Sequence, residues 1–426
     1  MNHQLYSGAD MFKKIASATA VASTLLLGLS GCEISIKDDS IKGSGNIITE
    51  KRDASSFDSI SNHSPFDIEL VVDGKNSVVV EGDDNFVKEV ETVVEGNTLV
   101  IRNKRKGSFR FSWKDNPTTV KISTAALVKA TNSGSGDMRL RQIKNEKFEL
   151  TNEGSGDIDA AGSSTELSFH SSGSGDVSLR QLTTKKVTVE MNGSGDTEFG
   201  EVMQSLQAKL TGSGDLHVAK LQSEQTTLSI DGSGGISIRG VSKNLDVDMS
   251  GSGDLSIDEV QADKTSITMN GSGEVSLVGE TKVLKLRVSG SGSVDASRLK
   301  VGDADIRNSG PADLQFRSLA GKIIIDTSGS GDIEASLASA DTIEINSDGP
   351  GSVTLHGNGK KLSASLNGSG DLHASELLLE LASVKVNGPS EAHVNVKAAG
   401  EATAKESTIK NGSRLVTIDR NGVVQQ

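Results

Sequence analysis

The residues best placed to do chemistry are carboxylates at a fixed interval. Asp137, Asp157, Asp176, Asp196, Asp215, Asp254, Asp313, Asp332 and Asp371, with Glu274 and Glu391, each stand three residues after the first glycine of a Gly-Ser-Gly-Asp motif or a degraded copy of it. Those first glycines fall at 134, 154, 173, 193, 212, 232, 251, 271, 290, 310, 329, 349, 368 and 388, so the interval alternates between 20 and 19. Stacked in register, the carboxylates would line up at the strand spacing of about 4.8 Å. Neighbours would then repel by roughly 1 kcal/mol in water and by several at a lower effective dielectric. Two arrangements relieve this. In the first, each carboxylate accepts hydrogen bonds from its own corner amides and faces water; in the second, the row holds weakly bound divalent cations, for which hard oxygen ligands suit Ca²⁺. The first is the expectation, so no cofactor is assigned. The calcium-binding repeat G-G-x-G-x-D differs in both spacing and period.

Other reactive side chains are sparse. His217, His373 and His393 each sit five residues after their first glycine, and adjacent repeats would place His373 beside His393. Two exposed imidazoles without a third ligand are a weak zinc signal. Gly-Ser-Gly spaces its serine wrongly for a G-x-S-x-G elbow, and neither H-E-x-x-H nor a P-loop occurs. Solenoid enzymes acting on polysaccharides place acids and bases in a local cluster, whereas the acids here are periodic. Aromatic residues are only 3% of the chain, so platforms for stacking sugars are scarce as well. These features argue against catalysis.

The elements that must carry the acidic file are legible in one repeat, residues 173–192, GSGDVSLRQLTTKKVTVEMN. Val177 and Leu179 alternate with polar residues, Leu182 stands alone, and Val187, Val189 and Met191 alternate again, which is the period-two signature of strands with one apolar face. The column containing Leu140, Ala160, Leu179, Phe199, Val218, Ile238 and Ile257 stays apolar through all fourteen repeats. One such unit cannot bury its apolar face alone, but stacked copies share a continuous core. The expectation is therefore an all-β, parallel β-solenoid of about fourteen 19/20-residue repeats with an irregular N-terminal β region. One coil per repeat is favoured over a 39-residue coil of two halves, with the odd residue in the link between Leu182 and Val187. An antiparallel meander is a third arrangement, and it would leave long edges to protect. The glycines mark a corner that needs positive φ or close backbone approach. The Ser, Thr, Asn or Asp before most corners can bond the corner amides.

Residues 1–31 read as a lipoprotein signal peptide: Lys13 and Lys14 precede an apolar run from Ile15 to Leu29, followed by Leu-Ser-Gly-Cys. Those four residues resemble the bacterial lipobox, which makes Cys32 the expected lipidation site and the membrane the expected partner. Glu33 after it favours the outer membrane. Residues 32–56 are the anchor and tether. Residues 57–133 read as N-terminal β coils and cap, with a helical turn or two near Asp84 to Val90, and with Trp113 beside the basic run Arg102 to Lys106. The regular array spans 134–405, and 406–426 is a closing strand and tail. Cys32 is the only cysteine, so no internal disulfide forms. A formal net charge of −13 argues against nucleic acid as a partner.

The runs GSGNIITEKRDASSFDSI, SPFDIELVV, SVVVEGDDNFV, EGNTLVI and NSGSGD resemble the putative auto-transporter adhesin, head GIN domain family of the bacterial envelope. The likeness is specific through residues 43 to about 240, and the repeat pattern continues it to about 400. It implies a right-handed β-helix-like fold and an exported, often lipid-anchored protein, and it supplies no catalytic residue. The expected role is a noncatalytic, lipid-anchored interaction surface of adhesin type, for a glycan or protein ligand. A periplasmic scaffolding lipoprotein is the alternative, and a polysaccharide-active β-helix enzyme the second.

Overall fold

The computed structural model describes residues 41–105, 111–112, 117–397, 404–410, 415–419 and 422–425. Cys32 and its signal-like segment, and Trp113, lie outside the described residues.

Alternating side chains drive the central architecture. From Met138–Asn152 to Val353–Leu366, each repeat forms one bent strand of 14 to 16 residues. Each pairs in parallel with the next at an offset of one repeat: Met138 with Ile158, Leu179 with Phe199, Ile257 with Leu277, Ala335 with Leu355. One repeat is thus one coil, and the solenoid makes about 13 turns. The 39-residue coil and the antiparallel meander are both ruled out by this pairing. The expected pair of strands joined by a link is instead continuous, bent at its middle. The alternation of 20 and 19 is absorbed there by bulges on either side of the bend: before Ile143 in one pair of coils and after Val202 in another. A bulge inserts one residue and sharpens the bend without ending the ladder.

The inward file is buried throughout, with Leu140, Leu179, Phe199 and Leu355 fully enclosed. It belongs to one apolar cluster running from Phe57 to Ile418. Phe169 and Phe199 meet edge to face, ring centroids 6.4 Å apart. No repeat owns a separate core, so stability is a sum over coil-to-coil interfaces.

Both ends switch to antiparallel pairing. Ser59–His63 and Asp67–Val72 form the first coil, beneath Lys129–Asn132 and Met138–Asn152. Below them lie Thr98–Asn103 and Thr119–Thr124 in parallel, and then Val90–Glu95, Ser77–Asp83 and Ile47–Arg52 in antiparallel pairs. The helical turn expected here is Asp84–Val87, which buries Phe86 and Val87. At the other end Ala404–Lys410 folds back onto Glu391–Lys397, and Leu415–Asp419 onto Leu381–Val386. These strands give the array terminal units unlike its interior ones.

Candidate functional site

The corner carrying the acidic file is built by close packing of backbone. At Gly154 an added Cβ would lie 1.9 Å from the Gly134 carbonyl oxygen, and at Gly156 it would lie 2.1 Å from that of Gly136. Neither glycine has positive φ; of the two reasons expected for glycine here, only the close approach applies. The carbonyl that a methyl would strike is already engaged, since Ser155 donates its amide to Gly134 O at 3.1 Å and Ser174 donates to Gly154 O at 3.0 Å.

The carboxylates follow the same coil-to-coil logic, and this corrects the expectation that each bonds its own corner. The Asp157 amide donates to Asp137 Oδ1 at 3.0 Å, Asp176 to Asp157 at 2.8 Å, Asp196 to Asp176 at 2.9 Å, and Asp215 to Asp196 at 2.9 Å. Meanwhile the next residue along pairs forward by backbone alone, Ile158 N donating to Asp176 O at 2.9 Å. The carboxylate therefore supplies the acceptor that the previous coil's backbone does not, and a charged acceptor makes the stronger bond. This offsets the repulsion within the file. Gly235 accepts the role of donor toward Asp215, then interrupts the file because it has no carboxylate to offer Asp254. The ladder resumes with Glu274 on Asp254 and continues from Asp332 on Asp313 to Glu391 on Asp371, with the Ser352 hydroxyl substituting once.

The polar residue before each corner also differs from expectation. At several corners it bonds its counterpart in the neighbouring coil: Ser289 Oγ donates to Asn270 Oδ1 at 2.6 Å, and Asn387 Nδ2 to Asn367 Oδ1 at 2.6 Å, whereas Ser309 Oγ reaches the Val288 carbonyl. A third ladder lies inside the corner and was missed in the sequence. Buried Asn132 donates Nδ2 to Gly136 O at 3.1 Å and Gly156 O at 3.2 Å, and Asn308 donates to Ala312 O at 2.7 Å. In the middle coils the same position holds Met191, Leu210 and Ile230, which hid the pattern.

Asp67 is the foot of the acidic file and was likewise missed. Its Oδ1 accepts the Asp137 amide at 3.1 Å across 70 residues of chain. Ser64 and Phe66 carbonyls lie beneath Gly134 and Gly136, so Ser64-Pro65-Phe66-Asp67 is a corner written without glycine. Burial pushes the Asp67 carboxyl above the ordinary aspartate range; the Asp137 amide opposes this and the Asp137 charge adds to it. Folded Asp67 therefore holds its proton more tightly than the unfolded chain does. Its effect on stability becomes less favourable as pH rises from the ordinary aspartate value of about 3.9 through the raised folded one. In Asp67→Asn, which keeps an acceptor for the Asp137 amide, that decline should vanish. Melting temperatures of both proteins across this window check it, and parallel curves would contradict the assignment.

His373 and His393 stack with ring centroids 5.8 Å apart, and His393 also faces Glu391 at 3.8 Å. His217 stands on the outer face several coils away. Among the described residues no group of three or more His, Cys, Asp or Glu is disposed to hold a metal ion. No helix there is long and apolar enough to cross a membrane. The basic run is partly neutralised, Arg102 meeting Glu91 at 2.6 Å and Glu95 at 3.0 Å, and Arg105 meeting Glu89 at 3.1 Å.

Three side-chain ladders, a backbone-packed corner and antiparallel ends define a capped parallel β-solenoid whose most regular residues hold coil to coil. The profile of the putative auto-transporter adhesin, head GIN domain family matches residues 56–239, 222–320 and 318–409. The chain belongs to that family. Among solved structures it is similar to a "putative adhesin" from Bacteroides fragilis, at 17% identity over 78% of this chain and 99% of that one, with a TM-score of 0.23. A "putative adhesin" from Parabacteroides distasonis is 15% identical over 80% and 99%, TM-score 0.29. A "putative lipid binding protein" from the same species is 19% identical over 74% and 99%, TM-score 0.22. A search of the curated proteins finds no match.

Proposed function

We propose that this protein is a noncatalytic, lipid-anchored envelope protein of the outer membrane that presents its long solenoid faces as an adhesin-like interaction surface. The observation that carries this reading is the division of labour in the coil. The periodic carboxylates are bound to amides of the next coil, while the outer faces expose side chains over many coils built on one continuous core. Membership in a family of adhesin type supports the same role. The Leu-Ser-Gly-Cys run ending at Cys32 supports lipid anchoring; of the expected tether, Ile47–Arg52 is instead a cap strand, so the link from lipid to solenoid would be the short polar stretch before it. A lone acyl chain anchors only weakly, so a multiply acylated cysteine is what this reading requires.

Protease added to intact cells, beside permeabilised ones, tests the reading. The protein should be degraded in both, and Cys32→Ser should move it from the membrane to the soluble fraction. Survival in intact cells with loss only after permeabilisation would replace surface adhesion with periplasmic scaffolding.

A further inference from the structure

One outer face combines an uncharged file with a groove walled by paired charges. Ser59, Lys129, Glu149, Ser168, Thr188, Gln207 and Thr227 form a single file, because each pairs with the next in the parallel register or through the first coil. The stretch Ser168–Thr188–Gln207–Thr227 is uncharged, and the file becomes charged again at Glu149 on one side and Asp246 on the other. Ser168, Thr188 and Gln207 are exposed, and their side chains make no hydrogen bond among the described residues. They lie along a groove of about 910 Å³ that crosses these coils lengthwise, with Asn145, Lys147, Glu166 and Gln225 in its walls.

Three lysines and three glutamates line the groove, so its walls carry no net formal charge, and all but Glu146 are paired. Lys147 and Lys186 both reach Glu166, at 3.2 and 3.4 Å, and Lys129 meets Glu149 at 2.5 Å. An ionic polymer gains little from such a groove. An apolar peptide finds little to hold, since Phe148, Leu167, Val187 and Leu206 turn inward and are buried and only Val128, at one end, exposes apolar surface. The strands have both neighbours, so no backbone edge is open for strand addition. What is left is a row of groups that both donate and accept hydrogen bonds, repeated at the coil spacing of about 4.8 Å.

We infer that this groove binds an extended, uncharged polysaccharide along the solenoid axis, its hydroxyls exchanging hydrogen bonds with Ser168, Thr188 and Gln207, beside Gln225, whose amide donates to Thr227 at 3.5 Å. The inference rests on the adhesin-like reading and names its ligand class. Each contact is weak, but one chain engages successive coils at once, and the linked contacts multiply.

Affinity electrophoresis of the detergent-solubilised full-length protein tests it, in gels containing galactomannan, xyloglucan or, as the ionic comparison, polygalacturonate. Retardation is expected in a neutral glycan and not in polygalacturonate. The double variant Thr188→Val/Gln207→Leu should lose that retardation about tenfold, with an unchanged melting temperature. Ser256→Ala, on another outer face, should behave as the parent. Should the double variant misfold, Gln207→Glu provides the same readout with a smaller packing change. No retardation in either neutral glycan, or equal retardation of parent and folded variants, overturns the groove assignment. A protein still cleaved on intact cells would then keep the adhesin-like reading while losing this ligand; protection on intact cells would remove the reading itself.

Discussion

Gly232→Ala is expected to destabilise the middle of the solenoid by about 3 kcal/mol or more, among the largest effects of any single methyl. The added Cβ would lie 2.0 Å from the Gly212 carbonyl oxygen; the Cβ is fixed directly to the backbone and the oxygen belongs to it, so neither can swing aside. To make room the two coils must separate, which breaks the bonds from Ser233 N and Gly234 N to Gly212 O, at 3.1 and 3.3 Å. Because each coil contacts only its neighbours, the loss should be local at first. Hydrogen exchange should quicken across the coils of Gly212 and Gly232 before the ends respond, and denaturant unfolding should broaden or shift. Ser233→Ala, one residue away on an exposed side chain, should change neither. A well-tolerated Gly232→Ala would mean that the corners are not in backbone contact.

Asp196→Ala should cost about 2 kcal/mol, the range of a hydrogen bond with one charged partner. Its Oδ1 accepts the Asp215 amide at 2.9 Å, and its own amide donates to Asp176, so removal leaves one donor of the next coil without a protein partner. Asp196→Asn keeps an acceptor while removing one like charge from a file of carboxylates, so its cost should be well below that of alanine. Chemical denaturation of the three proteins checks the order. Equal losses for alanine and asparagine would show that charge, not the amide bond, is what this position supplies.

The coil itself was legible in the chain because its evidence is local and repeated. Val177, Leu179, Val187, Val189 and Met191 alternate within one repeat, and the next keeps the same columns with Thr197, Phe199, Leu206, Ala208 and Leu210. All five are buried, each in parallel register with its copy or, at the first half, with the coil before. Glycine at the corner was legible too, but not the choice between left-handed backbone and close approach, which depends on the coil below and not on the corner's own sequence.

The acidic file shows where reading along the chain stops. Its period announces that Asp137 and Asp157 are neighbours, yet the partner of Asp137 is an amide in the following coil, a relation that only stacked coordinates reveal. Asp67 was hidden for two reasons: its corner contains Ser64 and Phe66 where the later ones have glycine, and the strands of the cap intervene before Asp137. A terminal coil has nothing identical beneath it, so the steric demand for glycine disappears there and the signature fades. The buried Asn132 and Asn308 were overlooked because hydrophobic residues take the same position in the central coils, and either type fills the space if asparagine can reach a corner carbonyl.

Distances between spin labels along the corner test the stacking most directly. With Cys32 replaced by serine, labels at exposed Ser135 and Ser213 sit four coils apart, and labels at Ser135 and Ser291 eight. One repeat per coil predicts backbone separations of about 19 Å and about 38 Å, growing in proportion to the number of repeats crossed. Separations half as long, or unrelated to repeat number, would contradict a solenoid in which every repeat completes one turn.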